Sequence, residues 1–229
     1  MMRHSHTVAA GLLIATATAL AGCNPAPDRV DEEPGDQAAA ANASAPAAPV
    51  PAAVRPAVVQ PAFVDEASGL ALRPVPGARV GADVESGALT PASWKLFAEP
   101  GSEGRRVVAV VLDGSNEVTT AAMRIGVSAD PSSMAACLQL PAEFTGPAAG
   151  QVEIGGVPFT HFRAGDAAMS HYVSADSYRA VHGGQCVAID LLVKGTRPEV
   201  YDPPRTPPFT TEEAQQKLQA LLPAVYWQR

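Results

Sequence analysis

A chain of 229 residues has room for one domain with a sizeable core. Its formal charge of −7, from 16 Lys and Arg against 23 Asp and Glu, argues against nucleic acid, whose phosphates need clustered basic side chains. The same sign argues against attachment to anionic lipid by charge alone.

The chain opens with Arg3, His4 and His6, then an apolar run from Val8 to Leu20 that is too short for a membrane span and runs straight into small residues. Leu20-Ala21-Gly22-Cys23 closes it. This segment resembles the bacterial lipoprotein signal. The resemblance implies that residues 1–22 are a signal peptide removed in export and that Cys23 is acylated, so the membrane is a partner through an N-terminal lipid. Asn24 follows the cysteine, where an Asp in those families commonly marks inner-membrane retention. The resemblance therefore implies the outer membrane, facing the periplasm, ahead of the inner membrane.

From Asn24 to Pro61, 20 of 38 residues are Ala or Pro, too little apolar surface to fold, so residues 23–61 read as the lipidated cysteine and a disordered tether. The tether is either a spacer that lifts the domain off the membrane or a passive linker. Residues 62–229 read as one globular domain. If lipid consumes Cys23, Cys137 and Cys186 remain as a pair in an oxidising compartment, and a disulfide between them is expected, with two buried thiols as the alternative.

Leu70, Leu72 and Val75 predict a first strand, ended by Pro74 and Pro76. Arg105 to Leu112 (RRVVAVVL) is a strand suited to burial on both faces. Asp113-Gly114-Ser115-Asn116 turns it into Val118–Val127, where Met123, Ile125 and Val127 share a face. Asp130-Pro131 starts a short helix that runs toward Pro141, with Met134, Cys137 and Leu138 pointing inward together.

Val157 to Val193 reads as three or four antiparallel strands, with Gly165-Asp166 and Gly183-Gly184 as turns. A Gly183-Gly184 turn sets His182 opposite Gln185, Ala180 opposite Val187 and Tyr178 opposite Ile189. One face then carries Tyr178, Ala180, Val187, Ile189 and Leu191, joined by Tyr172 if a short loop occupies Ser174–Asp176. The other carries Arg179, Val181, Cys186, Ala188, Asp190 and Leu192. Arg197 to Phe209 is a proline-rich loop and a candidate binding surface through Tyr201 and Phe209. Thr210 and Glu213 form a capping-box pattern ahead of an apolar stripe, Ala214, Leu218, Leu221 and Leu222. Pro223 interrupts that helix, after which Tyr226 and Trp227 pack back on the domain.

These elements predict an α+β fold, an antiparallel sheet with two or so helices packed against it. In strand and helix order, with the Tyr178-Arg179 strand, the Gly183-Gly184 hairpin and the capped terminal helix, the domain resembles the PsbP/Mog1-type modules. That resemblance implies a non-enzymatic accessory or binding domain and carries over no functional residue.

Two local patterns carry possible chemistry. Gly126-Val127-Ser128-Ala129-Asp130 lies where a hydrolase nucleophile elbow would lie, but lacks its last glycine, and Asp130 already has a role as an N-cap. His161, His171 and His182 show no metal-ligand spacing, and no cofactor motif is present. His171, Arg179 and Asp190 fall on one face and form a candidate polar cluster, able to bind an anion or tune the histidine, or else an ordinary ion-pair patch. The sequence thus predicts a lipid-anchored accessory module that docks on an envelope protein or cell-wall component. The alternative is a periplasmic hydrolase using Ser128 or the His171 cluster.

Overall fold

A computed structural model describes residues 59–82, 93–139 and 150–228. Leu20-Ala21-Gly22-Cys23 and most of the expected tether lie outside the described residues, and the helix expected to run toward Pro141 ends instead at Ala135.

Among the described residues ten strands form two antiparallel sheets. The larger has seven, in the spatial order β3 (Ala78–Gly81), β4 (Arg105–Leu112), β5 (Thr119–Ser128), β9 (Gln185–Thr196), β8 (His171–His182), β7 (Val157–Ala168) and β6 (Gly150–Ile154). The smaller orders β1 (Phe63–Asp65), β2 (Leu70–Leu72) and β10 (Val225–Trp227). Two helices, α1 (Pro131–Ala135) and α2 (Thr211–Gln219), accompany them. The antiparallel sheet of the expected α+β fold is present, but strands dominate the described residues.

Period-two alternation decides what lies on each face of the large sheet. The first face gathers Val108 and Val110 of β4, Met123 and Ile125 of β5, Ile189 and Leu191 of β9, and Tyr178 and Ala180 of β8. The small sheet contributes Leu70, Leu72 and Val225 to this core, and α2 adds Ala214 and Leu218. α2 begins as its sequence requires: Thr210 Oγ1 accepts from the Glu213 N–H while the Glu213 carboxylate accepts from the Thr210 N–H. Tyr226 and Trp227 return as strand β10 on β2, and Trp227 stacks on Phe159 with ring centroids 6.0 Å apart.

The second face is closed at the Cys186 end. There α1, its following turn and the segment around Trp94 close over Cys186 and Ala188. Gly126 allows this: a Cβ on it would stand 1.8 Å from the Trp94 carbonyl oxygen. Cys137 and Cys186 form the expected disulfide, with Cα atoms 5.6 Å apart, tying the segment after α1 to β9.

The Gly183-Gly184 turn has φ of 58° and 72°, the left-handed pair that a two-residue hairpin demands. Its register sets His182 opposite Gln185, Val181 opposite Cys186 and Tyr178 opposite Ile189, as the sequence predicts. Three local expectations fail. No turn forms at Gly165-Asp166: β7 continues to Ala168, and the chain reverses at Met169-Ser170 with Met169 at φ 53°. Ser174–Asp176 is not a loop but the middle of β8, because carrying the ladder on to the Ala168–His171 pair satisfies backbone groups that an earlier turn would strand. Tyr172 still packs on the core, since an unbroken strand keeps it in phase with Tyr178. Leu138, expected to point inward, is half exposed: α1 ends at Ala135, so helical phase does not reach it.

Candidate functional site

Toward the other end of the second face lies a cleft of about 640 Å³. Its floor and walls come from the strands themselves. Arg79 of β3, Val111 of β4, Thr120 of β5 and Lys194 and Thr196 of β9 line it, with His171 of β8 at one rim. Thr120 and Lys194 are direct cross-strand partners, as are His171 and Thr196, so the polar groups are held by ladder hydrogen bonds and not by a loop.

The opposite rim is the β4–β5 turn. Asn116 Oδ1 accepts from the backbone N–H groups of Val118 and Thr119, each at 3.0 Å, and the Asn116 carbonyl accepts from Thr120 Oγ1 at 2.8 Å. These bonds lock the turn in one shape. Behind it the Glu117 carboxylate pairs with Arg205, whose guanidinium lies 4.5 Å from the centre of the Tyr201 ring. The Glu117 backbone N–H, together with Arg205, holds that carboxyl below its usual range.

Across the floor, Gly195 has no room for a side chain, because a Cβ there would stand 2.4 Å from the Val118 carbonyl oxygen and 2.5 Å from Tyr172 Oη. Tyr172 Oη instead reaches Thr119 Oγ1 at 3.2 Å. His171 Nδ1 lies 3.0 Å from Thr196 Oγ1. Lys194 is half-buried, and that burial pushes its ammonium below the ordinary lysine range.

The structure does not assemble the expected trio of His171, Arg179 and Asp190. Asp190 pairs with Ser177 across the hairpin, six residues along β8 from His171 and on the order of 20 Å away at about 3.3 Å per residue. The physical reason is the unbroken β8: without a loop at Ser174–Asp176, the strand carries His171 to the far end of the sheet. Arg179 and Asp190 do meet, 2.7 Å apart and buried, under the Trp94 segment.

Asp190 also accepts from Ser177 Oγ at 2.8 Å and from the Leu96 N–H at 2.7 Å, and Arg124 stands 3.5 Å off. Burial raises the Asp190 carboxyl, but Arg179, Arg124 and the Leu96 N–H outweigh it, so the group sits below its ordinary value. Among the described residues, Nε and Nη2 of Arg124 have no hydrogen-bond partner. The cluster fastens the covering segment to β9 and is closed to ligands.

Ser128 is almost wholly buried. Its hydroxyl donates to the Glu103 carbonyl at 2.5 Å and accepts from the Asp130 N–H at 3.2 Å. No imidazole is among its partners, so its proton goes to structure. Asp130 caps α1, accepting from the Ser133 N–H at 2.8 Å. In the candidate loop the two aromatics part company: Tyr201 stands beside the cleft rim, whereas Phe209 is buried in the core beneath the Lys217 ammonium and offers no binding surface. The apolar stripe of α2 needs a cap residue at its N-terminal end, and Phe209 immediately before the Thr210 N-cap fills that place.

One polar group was not foreseen. Asp176 accepts from Gln219 of α2 at 3.0 Å and pairs with His161 at 2.7 Å and Arg163 at 3.2 Å, pinning the helix to the sheet. Burial raises its carboxyl, but these partners, His161 first, bring it below the usual range. His161 stacks on Tyr178 at 4.5 Å, and burial with the nearby Asp176 charge pushes the Tyr178 hydroxyl up to about 12.

Among the described residues no group of three or more His, Cys, Asp or Glu side chains could hold a metal ion, and no helix is long and apolar enough to cross a membrane. Comparison with protein-family models, curated proteins and solved structures gives no match to this chain.

Proposed function

We propose that this chain is a lipid-anchored, periplasm-facing accessory module of the cell envelope that binds and does not catalyse. Cys23 at the end of the lipobox carries the lipid, the Ala/Pro tether gives reach, and the sheet domain does the binding. The partner is an envelope protein or a cell-wall component, met at the rim where Tyr201 and Arg205 flank the cleft. A disulfide between the two remaining cysteines suits an oxidising compartment.

The observation that carries the reading is the cleft itself. Its polar groups are held by paired strands, its floor is partly apolar, and it opens outward, the arrangement of a preformed ligand site. Three of the groups with catalytic chemistry are occupied otherwise: Ser128 serves the backbone, and Arg179 with Asp190 fastens the covering segment.

Tethering is tested by growing cells with radiolabelled palmitate. The wild-type chain should take up label and sediment with outer membranes, and Cys23→Ala should remain unlabelled. A wild-type chain without label would remove the anchor from the account.

A further inference from the structure

The chain has only three lysines, Lys95, Lys194 and Lys217, and their surroundings differ. The Lys95 ammonium lies 5.2 Å from the centre of the Trp94 ring, and that of Lys217 lies 5.6 Å from the centre of the Phe209 ring. Among the described residues Lys194 has neither an acidic nor an aromatic partner. It is nonetheless half-buried in the wall of the cleft. An ammonium partly stripped of water with no counter-charge is costly, and a site that keeps one is completed by an anion.

The rest of the lining narrows the anion. Arg79 adds a second cation, and the one carboxylate of the lining, Glu117, is already taken by Arg205, so the cleft has a positive excess within a chain of net charge −7. Beside Lys194 stand the Thr196 hydroxyl and the His171 imidazole, joined by a 3.0 Å hydrogen bond between Oγ1 and Nδ1, so that one proton of the pair remains for a ligand. Phosphate sites are characteristically built from several backbone N–H groups or a bidentate arginine. Here one half-buried ammonium and one exposed guanidinium stand beside side-chain hydroxyls in a lining that is partly apolar, which suits a monoanion with an apolar body. The volume of about 640 Å³ lies within the range of small-molecule sites.

We propose that the cleft binds a small amphipathic carboxylic acid, with its carboxylate against the Lys194 ammonium and its apolar body against the partly apolar lining. The inference rests on the reading of the chain as a binding module and names the class of ligand. Arg79 faces the acid from β3, and Thr196 of β9 with His171 of β8 orients it. The buried Arg124–Asp190–Arg179 group takes no part, because Asp190 already supplies its counter-charge.

The test uses the full mature chain with its three lysines reductively methylated with carbon-13, so that each gives its own NMR signal and Lys194→Arg assigns one of them. 3-Phenylpropanoate, its amide and inorganic phosphate serve as probes. The acid should shift the Lys194 signal saturably, raise its titration midpoint and leave Lys95 and Lys217 in place, while the amide does neither. Unmethylated Lys194→Gln should bind the acid about tenfold more weakly by calorimetry, the loss of about 1.4 kcal/mol expected for one charge-assisted contact. Circular dichroism of that variant should remain that of the wild type. The proposal is overturned if acid and amide shift Lys194 alike, if the acid leaves it unmoved, or if phosphate saturates the site and the acid does not. Palmitate labelling is read separately, so an empty cleft leaves the tether standing and an unlabelled Cys23 leaves the cleft standing.

Discussion

Lys194 and Asp190 lie four residues apart on the same face of the same strand, yet the two ends of that face are built to opposite purposes. At the Asp190 end every element closes inward: the Leu96 N–H, Ser177 and two arginines converge on one carboxylate, and the disulfide and Trp94 seal the cover. At the Lys194 end the strands are equally well paired, but the face carries a cleft and its cation lacks a described counter-charge. A charge that the fold neutralises itself is a structural device. A charge partly desolvated with no counter-charge among the described residues is what the proposed acid would neutralise.

The largest expected effect breaks the closed end. Asp190→Asn leaves two buried guanidinium groups without their acid, and loss of one partner of a buried pair costs about 3–5 kcal/mol. It also weakens the tie to Leu96, so Trp94 emission should move to the red in the folded protein, and a full-stability variant with unchanged emission would refute the fastening role. Replacing Cys137 and Cys186 together by serine acts on the same end with a somewhat smaller cost. The bridge closes a loop of 49 residues in sequence separation, and its removal should lower stability by about 2–4 kcal/mol in urea titration. Smallest of all is Lys194→Gln, which should alter stability by no more than about 0.5 kcal/mol, since a half-buried lysine with no partner among the described residues holds none of them in place.

What could be read ahead of the structure follows from the range of the forces involved. The Gly183-Gly184 register was legible because two glycines at φ near +60° define a two-residue turn, and alternation then fixes every partner beyond it. The α2 capping box and the β4 run were legible for the same local reasons. Gly165-Asp166 misled because the glycine carries a turn signal that the ladder on both sides overrides, and the error propagated: a loop at Ser174–Asp176 brought His171 toward Arg179 on paper, and the continuous strand takes it away. Phe209 read as an exposed loop aromatic, although its position just before a helix cap fits burial against the stripe it precedes. The cleft was illegible for a deeper reason. Arg79, Thr120, Lys194 and His171 come from four different strands with no spacing in common, and only the sheet order β3-β4-β5-β9-β8 brings them together. The one trace in the sequence is the pair Asp190 and Lys194 on a single face of an otherwise apolar strand, two charges whose fates the sequence does not distinguish.

The measurement that tests the division of this face most directly is urea denaturation of Asp190→Asn and Lys194→Gln side by side with the wild type, at one pH and one salt concentration. The account predicts a midpoint for Asp190→Asn far below the wild type, equivalent to about 3–5 kcal/mol, and one for Lys194→Gln within about 0.5 kcal/mol of it. Equal losses in the two variants, or a larger loss at Lys194, would contradict it.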